Sequence, residues 1–205
     1  MNSFNQGYVE EEELRAIGFK SVGRDVRISR NCTIVGCENI ELGDHVRIDD
    51  YCMIVAASPG WVNIGSYVHI AGYCLLAAGA GIRLCDFSGL SHGVKLYTKS
   101  DDYSGGFLTN PTVPARYTRL TSGTVTLGRH VIVGAGTVIL PRVTVGDGAS
   151  VGAMSLVTKT LDPWGVYFGC PVKKLKERSK RLLSLEAQLL AEATGRECSE
   201  TGVAA

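Results

Sequence analysis

The chain has 205 residues, of which 21 are Lys or Arg and 20 are Asp or Glu, so its formal net charge at pH 7 is +1. That balance argues against a nucleic-acid-binding surface or an acidic tail, because each requires an excess of one charge. No apolar run approaches the roughly 20 residues that cross a bilayer, and glutamates occupy positions 10–13 where a signal peptide would be apolar, so we expect a cytoplasmic protein without a membrane span.

Cysteine and glycine stand out in the composition, with 7 and 25 residues respectively. The cysteines include no CxxC pair and no Cys/His cluster at zinc spacing, which predicts neither a disulfide framework nor a metal site. Abundant glycine together with only 6 prolines is typical of a fold with many tight corners and small buried positions.

The chain begins with a segment of helical character. Residues 8–17 contain four consecutive Glu residues followed by Leu14, and they predict a short helix within an N-terminal segment that covers residues 1–20. A repeat of different periodicity follows directly, which makes this segment a separate addition to the main domain.

A six-residue repeat occupies residues 21–162. Within each coil an aliphatic residue returns at every sixth position, and a small or β-branched residue, such as Val26 or Cys32, follows it four positions later. Short corner insertions space the first four coils 20, 22 and 20 residues apart. Neither the helical period of 3.6 nor the alternation of an ordinary β-sandwich explains a fixed phase of six. The repeat therefore predicts an all-β fold, a left-handed parallel β-helix in which three hexapeptides make one triangular coil. Six coils are predicted to begin at Val22, Leu42, Ile64, Leu84, Leu127 and Val145.

The repeat is interrupted once and then ends. Residues 99–123 form a long insertion, and a loop of this length inside a compact domain is usually functional. From 163 to 195 we expect a C-terminal segment with an α-helix from about Lys173 to Thr194, where leucines recur among Lys, Arg and Glu. Residues 196–205 are expected to form a flexible tail.

The repeats, the single long loop, and the closing run Val157-Thr158-Lys159 with Gly169-Cys170-Pro171 together resemble the hexapeptide-repeat acyltransferases. Within that family the chain is similar to the maltose/galactoside O-acetyltransferase-like branch and to acetyltransferases of polysaccharide and O-antigen (lipopolysaccharide) biosynthesis. The resemblance implies a homotrimer with active sites between subunits, acetyl-CoA as co-substrate without a metal, and transfer of the acetyl group to a sugar hydroxyl. The closing run departs from the family at Cys170, where Asn is usual.

The same resemblance implies where coenzyme A would lie. The pantetheine arm would pass small residues of successive coils, and the phosphates would meet polar and basic residues near the C-terminal end. The implied cofactor-binding residues are Gly134, Ala135, Gly152, Ala153, Thr158, Lys159, Lys173 and Lys176. Plain corner geometry for the small residues, and a solvated helix face for the lysines, are the alternative explanations.

The catalytic base is not inherited simply from the family. Sugar O-acetyltransferases of this kind place a His at the start of the long loop, and the matching position here is Asp101. His92 has the same offset from its aliphatic residue as Ala135 and Ala153 have from theirs, so the three should form a column along one edge of the prism. A pantetheine arm following that column would point its thioester towards His92, and imidazole is the side chain best suited to proton transfer near neutral pH. His92 and Asp101 are therefore the catalytic candidates.

Acceptor binding is assigned to His69, Asp102 and Tyr103. Carboxylates hold either sugar hydroxyls or a substrate ammonium group, so the acidic residues at the start of the loop leave open an N-acetyltransferase acting on a nucleotide-linked amino sugar. The two remaining histidines, His45 and His130, follow Gly-x pairs in near-identical repeats and are interpreted as exposed structural corner residues.

Two further function classes share the predicted prism. A γ-type carbonic anhydrase would bind zinc through histidines of neighbouring subunits, but His69 and His92 have no third His in phase. A non-catalytic hexapeptide scaffold would need neither the long loop nor the Thr158-Lys159 closing run. A repeat fold alone does not prove an activity.

Overall fold

The structure, a computed structural model, describes residues 6–200, with side chains described up to residue 193. Helix α1 (Glu11–Ala16) precedes the coils. The first three coils contain β1 (Ser21–Val22), β2 (Arg27–Ile28), β3 (Thr33–Val35), β4 (Ile40–Leu42), β5 (Arg47–Ile48), β6 (Met53–Val55), β7 (Val62–Ile64), β8 (His69–Ile70) and β9 (Leu75–Ala77). The next three contain β10 (Ile82–Leu84), β11 (Gly89–Leu90), β12 (Lys95–Tyr97), β13 (Lys99–Ser100), β14 (Thr121–Ser122), β15 (Val125–Leu127), β16 (Ile132–Val133), β17 (Val138–Ile139), β18 (Thr144–Val145), β19 (Ser150–Val151) and β20 (Leu156–Val157). The chain continues with β21 (Gly165–Gly169), β22 (Val172–Glu177) and α2 (Leu182–Glu200).

The coil strands form three parallel sheets that are the faces of a triangular prism. The first face has the order β1-β4-β7-β10-β15-β18, and the third has the order β3-β6-β9-β12-β17-β20. The second face has the order β2-β5-β8-β11-β16-β19-β21-β22, with only the last pair antiparallel. This is the predicted all-β, left-handed parallel β-helix with one long loop and a C-terminal helix.

The six-residue repeat sets the register of the stack. Leu42 pairs with Ile64, Ile64 with Leu84, and Leu84 with Leu127, all by parallel strand pairing, and these side chains fill the prism. Burying each such side chain stabilises the fold by roughly 1.5–3 kcal/mol. The direct pairing of Leu84 with Leu127 shows that the long insertion leaves no gap in the stack.

A ladder of aromatic rings runs along the corner between the first and second faces. His45, Tyr67, Phe87 and His130 stack with successive centroid distances of 4.6, 4.8 and 5.1 Å. All four have φ between 56° and 58°, a left-handed conformation that costs side-chain-bearing residues of order 1–3 kcal/mol each. Ring stacking returns about 0.5–1.5 kcal/mol per pair, so the ladder offsets part of the strain that the corner imposes.

The prediction that His130 is exposed is wrong. Its side chain is only 9% exposed, and its Nε2 lies 2.8 Å from Oε2 of Glu186 on helix α2. Arg129 also pairs with Glu186. The helix therefore returns over the aromatic corner and covers the last histidine of the ladder, which a repeat pattern confined to the prism does not reveal.

The long insertion has structure of its own. Strands β13 and β14 pair antiparallel, with Lys99 opposite Ser122, and so close the loop at its base. A 3₁₀ turn at Ala115–Tyr117 and a bridge between Leu108 and Thr118 organise its far end. The loop leaves the prism at the corner between the third and first faces.

The C-terminal segment differs from its prediction. Lys173 does not begin a helix; it lies on β22, which pairs with β21 and extends the second face. The reason is burial, since Tyr167 and Val172 are 5% and 9% exposed over the end of the prism, and such packing outweighs intrinsic helix propensity. Helix α2 begins only at Leu182 and runs to Glu200. Of the predicted tail 196–205, residues 201–205 lie outside the described residues.

Candidate functional site

The predicted column of His92, Ala135 and Ala153 is present at the corner between the second and third faces. The amide of Gly136 donates to the carbonyl of His92 at 2.9 Å, and that of Met154 donates to the carbonyl of Ala135 at 2.7 Å. These inter-coil bonds keep the three residues in register, and all three are exposed. The corner therefore offers a shallow track of small residues that ends at an imidazole.

Gly134 and Gly152 precede the alanines of the track, and the stacking of the coils explains both glycines. A Cβ at Gly134 would lie 2.4 Å from the amide nitrogen of Ala153, and one at Gly152 would lie 2.4 Å from the ring of Phe168. Any larger residue would push neighbouring coils apart. These glycines are consistent with a ligand on the track but do not by themselves indicate one.

A cleft of about 710 Å³ opens beside His92 on the N-terminal coils, and we call it the Tyr73 cleft. Tyr51 and Tyr73 stack in it with ring centroids 5.0 Å apart and are 57% and 64% exposed. Both have a positive φ, of 60° and 64°, which is the left-handed conformation that the residues of the aromatic ladder also adopt at their corner. The cleft is lined by Gly7, Tyr8, Glu10, Ser29, Arg47, Asp49, Asp50, Tyr51, Gly72, Tyr73 and His92.

Asp49 organises the polar side of the Tyr73 cleft. Its Oδ2 lies 2.8 Å from Nε2 of His69, while its Oδ1 accepts hydrogen bonds from Arg47 Nε at 2.7 Å and from the Tyr8 hydroxyl at 3.3 Å. Burial opposes ionisation of this carboxyl, but the hydrogen bonds from His69 and Arg47 outweigh it and hold the pKa of Asp49 below its usual value. Asp49 is thus ionised at neutral pH, and its charge is paired with the Arg47 guanidinium in the same cleft.

A second concavity, the Gly89 hollow, lies on the outer side of the second face and has a volume of about 420 Å³. His69 and Ile132 stand on either side of Gly89 in adjacent strands. Leu182 of helix α2 also lines the hollow, and His92 stands at its edge. His92 lines the Tyr73 cleft as well, so it is the predicted site residue at which the two concavities meet.

The predicted loop residues lie elsewhere within a single chain. Asp101 accepts a hydrogen bond from the Asn110 amide at 3.2 Å, and Asp102 accepts one from the Ser104 hydroxyl, which lowers the pKa of Asp102. Tyr103 is 92% exposed. The loop stands at the opposite edge of the third face from His92, and none of the three lines either concavity. One chain therefore does not bring the predicted catalytic pair together.

The predicted coenzyme-binding residues at the C-terminal end are all exposed. Thr158 and Lys159 directly follow β20, at the end of the third face. Lys173 and Lys176 stand on β22, opposite Phe168 and Val166 of β21. Lys173 and Lys176 thus lie on a strand of the second face instead of the helix that the sequence predicted.

Sequence reasoning missed the acidic and aromatic residues of the Tyr73 cleft. Asp49, Asp50 and Tyr51 occupy the same corner positions in the second coil as residues 91–93 do in the fourth, so the repeat register itself could have placed them beside His92. Tyr8 could not have been found in this way, because it reaches the cleft from outside the repeat.

Two other expectations concern absences. Across residues 6–200, no group of three or more His, Cys, Asp or Glu side chains is arranged to hold a metal ion. Over the same part of the chain, no helix combines the length and the apolar composition that a membrane-spanning segment requires.

Comparison with known proteins adds evidence on activity. Residues 124–159 match the family described as bacterial transferase hexapeptide (six repeats). The dTDP-4-amino-4,6-dideoxy-D-glucose acyltransferase of Escherichia coli is 41% identical over 188 residues, which are 92% of this chain and 97% of that protein.

Solved structures of N-acyltransferases are also similar to this chain. The N-acyltransferase AntD from Bacillus cereus, in complex with dTDP and 3-hydroxybutyryl-CoA, has a TM-score of 0.88 at 42% identity and covers 95% of this chain and 100% of its own. A variant of AntD in complex with dTDP-4-amino-4,6-dideoxyglucose and coenzyme A gives 0.87 at 42% identity, covering 91% of this chain and 98% of its own. A maltose O-acetyltransferase from Clostridium difficile, at 23% identity and a TM-score of 0.58 with coverage of 86% and 81%, shares the fold.

Proposed function

Because this chain belongs to the hexapeptide-repeat acyltransferase family, we propose that it transfers an acyl group from acyl-CoA to the amino group of a nucleotide-linked amino sugar. The observation that carries the proposal is the 41% identity to a dTDP-4-amino-4,6-dideoxy-D-glucose acyltransferase along 97% of that protein. This relationship supports the N-acyl alternative better than the sugar hydroxyl that the sequence predicted first.

The reaction requires a nucleophile, a proton acceptor and a leaving group. The neutral amine attacks the thioester carbonyl, a C–N bond forms, the C–S bond breaks, and coenzyme A leaves as a thiolate that takes up a proton. We propose that His92 is the general base that accepts the proton from the amine, because this residue stands between the Tyr73 cleft and the end of the small-residue track. A positioned general base of this kind contributes roughly 10²–10⁴-fold to the rate.

The Tyr73 cleft has the chemistry of an amino-sugar site. Arg47 pairs with Asp49, so Asp50 is the carboxylate of the cleft proposed to favour an amine over a hydroxyl, and the exposed faces of Tyr51 and Tyr73 suit the apolar face of a sugar ring. His69 is held by Asp49 next to this cleft and completes the proposed acceptor-binding set.

The donor is proposed to lie along the track. Its pantetheine would pass Ala153 and then Ala135, with its phosphates towards Thr158, Lys159, Lys173 and Lys176. We further propose a homotrimer, because the loop bearing Asp101, Asp102 and Tyr103 stands at the edge of the third face remote from His92. A neighbouring subunit would bring that loop to the track, where Asp101 would accept a hydrogen bond from the neutral amine of the acceptor.

The decisive experiment compares two acceptors that differ in one atom. Thiol release from acyl-CoA is measured with dTDP-4-amino-4,6-dideoxyglucose and with dTDP-6-deoxyglucose, which has a hydroxyl at the same carbon. We expect turnover with the amine and at least about 100-fold lower kcat/KM with the hydroxyl, because a hydroxyl is a weaker nucleophile than a neutral amine and lacks the hydrogen-bonding pattern of the amino group. Equal turnover, or turnover with the hydroxyl only, would refute the amino-sugar proposal.

A further inference from the structure

Charge is distributed unevenly along the prism. Residues 159–185, which include β21, β22 and the start of α2, contain seven basic and two acidic residues, although the whole chain has a net charge of only +1. Helix α1 packs on the first coil at the opposite end, where residues 10–13 are all glutamate. The C-terminal end of the molecule is therefore positive and the N-terminal end negative, and this separation sets the sign of the surfaces that attract each end.

Strand β22 presents its basic residues on two sides. Lys173 lies opposite the exposed Phe168 on the outer side of the second face, beside the track of small residues. Lys174 lies opposite Tyr167, whose side chain is buried over the last coil. Residues that stand opposite each other in an antiparallel pair project to the same side of the sheet. Lys174 therefore faces the end of the prism and is separate from the lysines proposed to meet the donor.

Two further cations at this end have no acidic partner. Lys174 pairs with Glu177 at 2.6 Å, whereas Lys180 and Arg181 are exposed and form no ion pair within residues 6–193. Lys180 Nζ lies 5.4 Å from the ring centroid of Trp164, and Trp beside a cation is typical of the boundary between water and a lipid headgroup layer. We call Lys174, Lys180, Arg181 and Trp164 the basic end.

Exposed leucines lie among these cations. Leu175, which the register between β21 and β22 skips, stands between two lysines of β22 and is 63% exposed. Leu183 and Leu185 of helix α2 are also exposed, because the helix approaches the prism through Leu182 and Glu186 instead. Apolar side chains that alternate with unpaired cations are typical of a segment that lies in the interface of a membrane.

We propose that the basic end and these three leucines bind the surface of a bilayer that contains anionic lipids. The cations would lie at the level of the lipid phosphates, attracted by the negative surface potential, while the leucines enter the boundary of the acyl chains. The leucines favour a bilayer over a nucleic acid, which would use the cations alone. This binding goes beyond the proposed function, since it requires neither the donor nor the acceptor.

Trimer formation would strengthen the attachment. In the homotrimer proposed above, the loop edge of one prism meets the track edge of the next, so the prisms stand side by side. Rotation about a threefold axis parallel to the prisms then leaves all three basic ends on the same side of the trimer. Because three weak attachments to one surface act together, the trimer should bind far more tightly than a single chain would.

Vesicle flotation of the full-length protein tests the proposal without any substrate. We expect the protein to bind vesicles of equal parts phosphatidylglycerol and phosphatidylcholine at least about tenfold more tightly than vesicles of phosphatidylcholine alone. Raising the salt concentration should weaken this binding. A Trp61→Phe variant retains Trp164 as its one tryptophan, and its emission should shift to shorter wavelength on the mixed vesicles as the ring leaves water.

Two pairs of substitutions separate the charges from the leucines. Lys180→Glu with Arg181→Glu, the charge variant, should weaken binding to the mixed vesicles at least about tenfold. Leu175→Ser with Leu183→Ser, the leucine variant, should also weaken it about tenfold, without any change in charge.

The matched control is Arg15→Glu with Arg27→Glu, which makes the same change in net charge at exposed positions of the N-terminal end. It should keep wild-type vesicle binding, and every variant is compared at a temperature at which circular dichroism shows it folded. Equal weakening by this control, equal binding of the wild type to both kinds of vesicle, or no binding to either would overturn the proposal.

Other outcomes would identify a different ligand. Binding that is lost in the charge variant but unchanged in the leucine variant would point to a polyanion such as nucleic acid and overturn the bilayer proposal. Complete displacement from the vesicles by saturating coenzyme A would show that the cations serve only the donor, with the same consequence. The charge variant should keep wild-type acyl transfer, because neither Lys180 nor Arg181 belongs to the proposed donor set, so the two proposals can fail independently.

Discussion

Ser88 carries a hydroxyl into a row of the prism interior that Val46, Val68 and Val131 otherwise fill. It is 2% exposed. Among the described residues, its Oγ is the one buried polar side-chain atom without a hydrogen-bond partner. A buried polar group without a partner has lost its hydration without compensation. Ser155, also buried, differs because its Oγ accepts the Gly169 amide at 3.1 Å.

These two serines give opposite predictions for the same chemical change. Ser88→Ala removes an unpaired hydroxyl and should raise the free energy of unfolding by about 1 kcal/mol. Ser155→Ala leaves the Gly169 amide without its acceptor and should lower that free energy by about 1–2 kcal/mol. Chemical denaturation of both variants provides the measurement. A loss of stability in both would show that the Ser88 hydroxyl has a stabilising role.

At the scale of elements, helix α2 is attached to the prism by polar side chains at and just before its N-terminus. Arg178 Nη1 donates to the carbonyls of His130 at 2.7 Å and Gly148 at 2.9 Å, just before the helix begins. Burial lowers the pKa of Arg178, so the guanidinium is partly desolvated and its hydrogen bonds matter more than those of a surface arginine. Glu186 adds a second attachment one turn into the helix.

Arg178→Ala should therefore detach the start of α2 without unfolding the coils. We expect hydrogen exchange of residues 182–193 to accelerate at least tenfold, in line with about 1.5–3 kcal/mol for hydrogen bonds to a charged donor. Exchange within the strands should stay unchanged. The control is Arg181→Ala, at an exposed position three residues later. Comparable acceleration in both variants would argue that Arg178 has no special role in attaching the helix.

The coil strands and the C-terminal segment show which elements can be predicted from the sequence and which cannot. The inward positions could be predicted because each coil repeats the same local pattern, so Leu84 and Leu127 are recognisable although the insertion separates them. The segment at Lys173 could not, because its strand conformation depends on pairing with β21, and only the packed end of the prism favours that pairing. The Tyr73 cleft escaped for a similar reason, since Tyr8 joins Asp49 across 41 positions.

At the scale of the whole molecule, the proposed site needs more than one chain. His92 and Asp101 stand at opposite edges of the third face, so a site that uses both must take them from two subunits. If the site is shared between subunits, a variant that lacks His92 and a variant that lacks Asp101 should restore activity when they assemble together. They should not do so if each chain carries its own complete site.

We predict that His92→Ala and Asp101→Ala each lower kcat by about 100-fold or more when purified alone. Co-expressed in equal amounts, they should recover about one quarter of wild-type activity, because one interface in four then combines an intact His92 with an intact Asp101. Coenzyme A affinity should remain near wild type throughout. Activity of the mixture no greater than that of the separate variants would place both residues in one chain or remove one of them from the reaction.

The uninterrupted pairing of Leu84 with Leu127 has a consequence for how such proteins diversify. Because the coils on either side of the insertion meet in register, the length and composition of the loop at 99–123 are independent of the geometry of the stack. Loops can therefore be exchanged, lengthened or shortened while the track of small residues keeps its position. The geometry of the prism then stays constant, and a change of loop alters only the part of the proposed acceptor site that Asp101, Asp102 and Tyr103 supply.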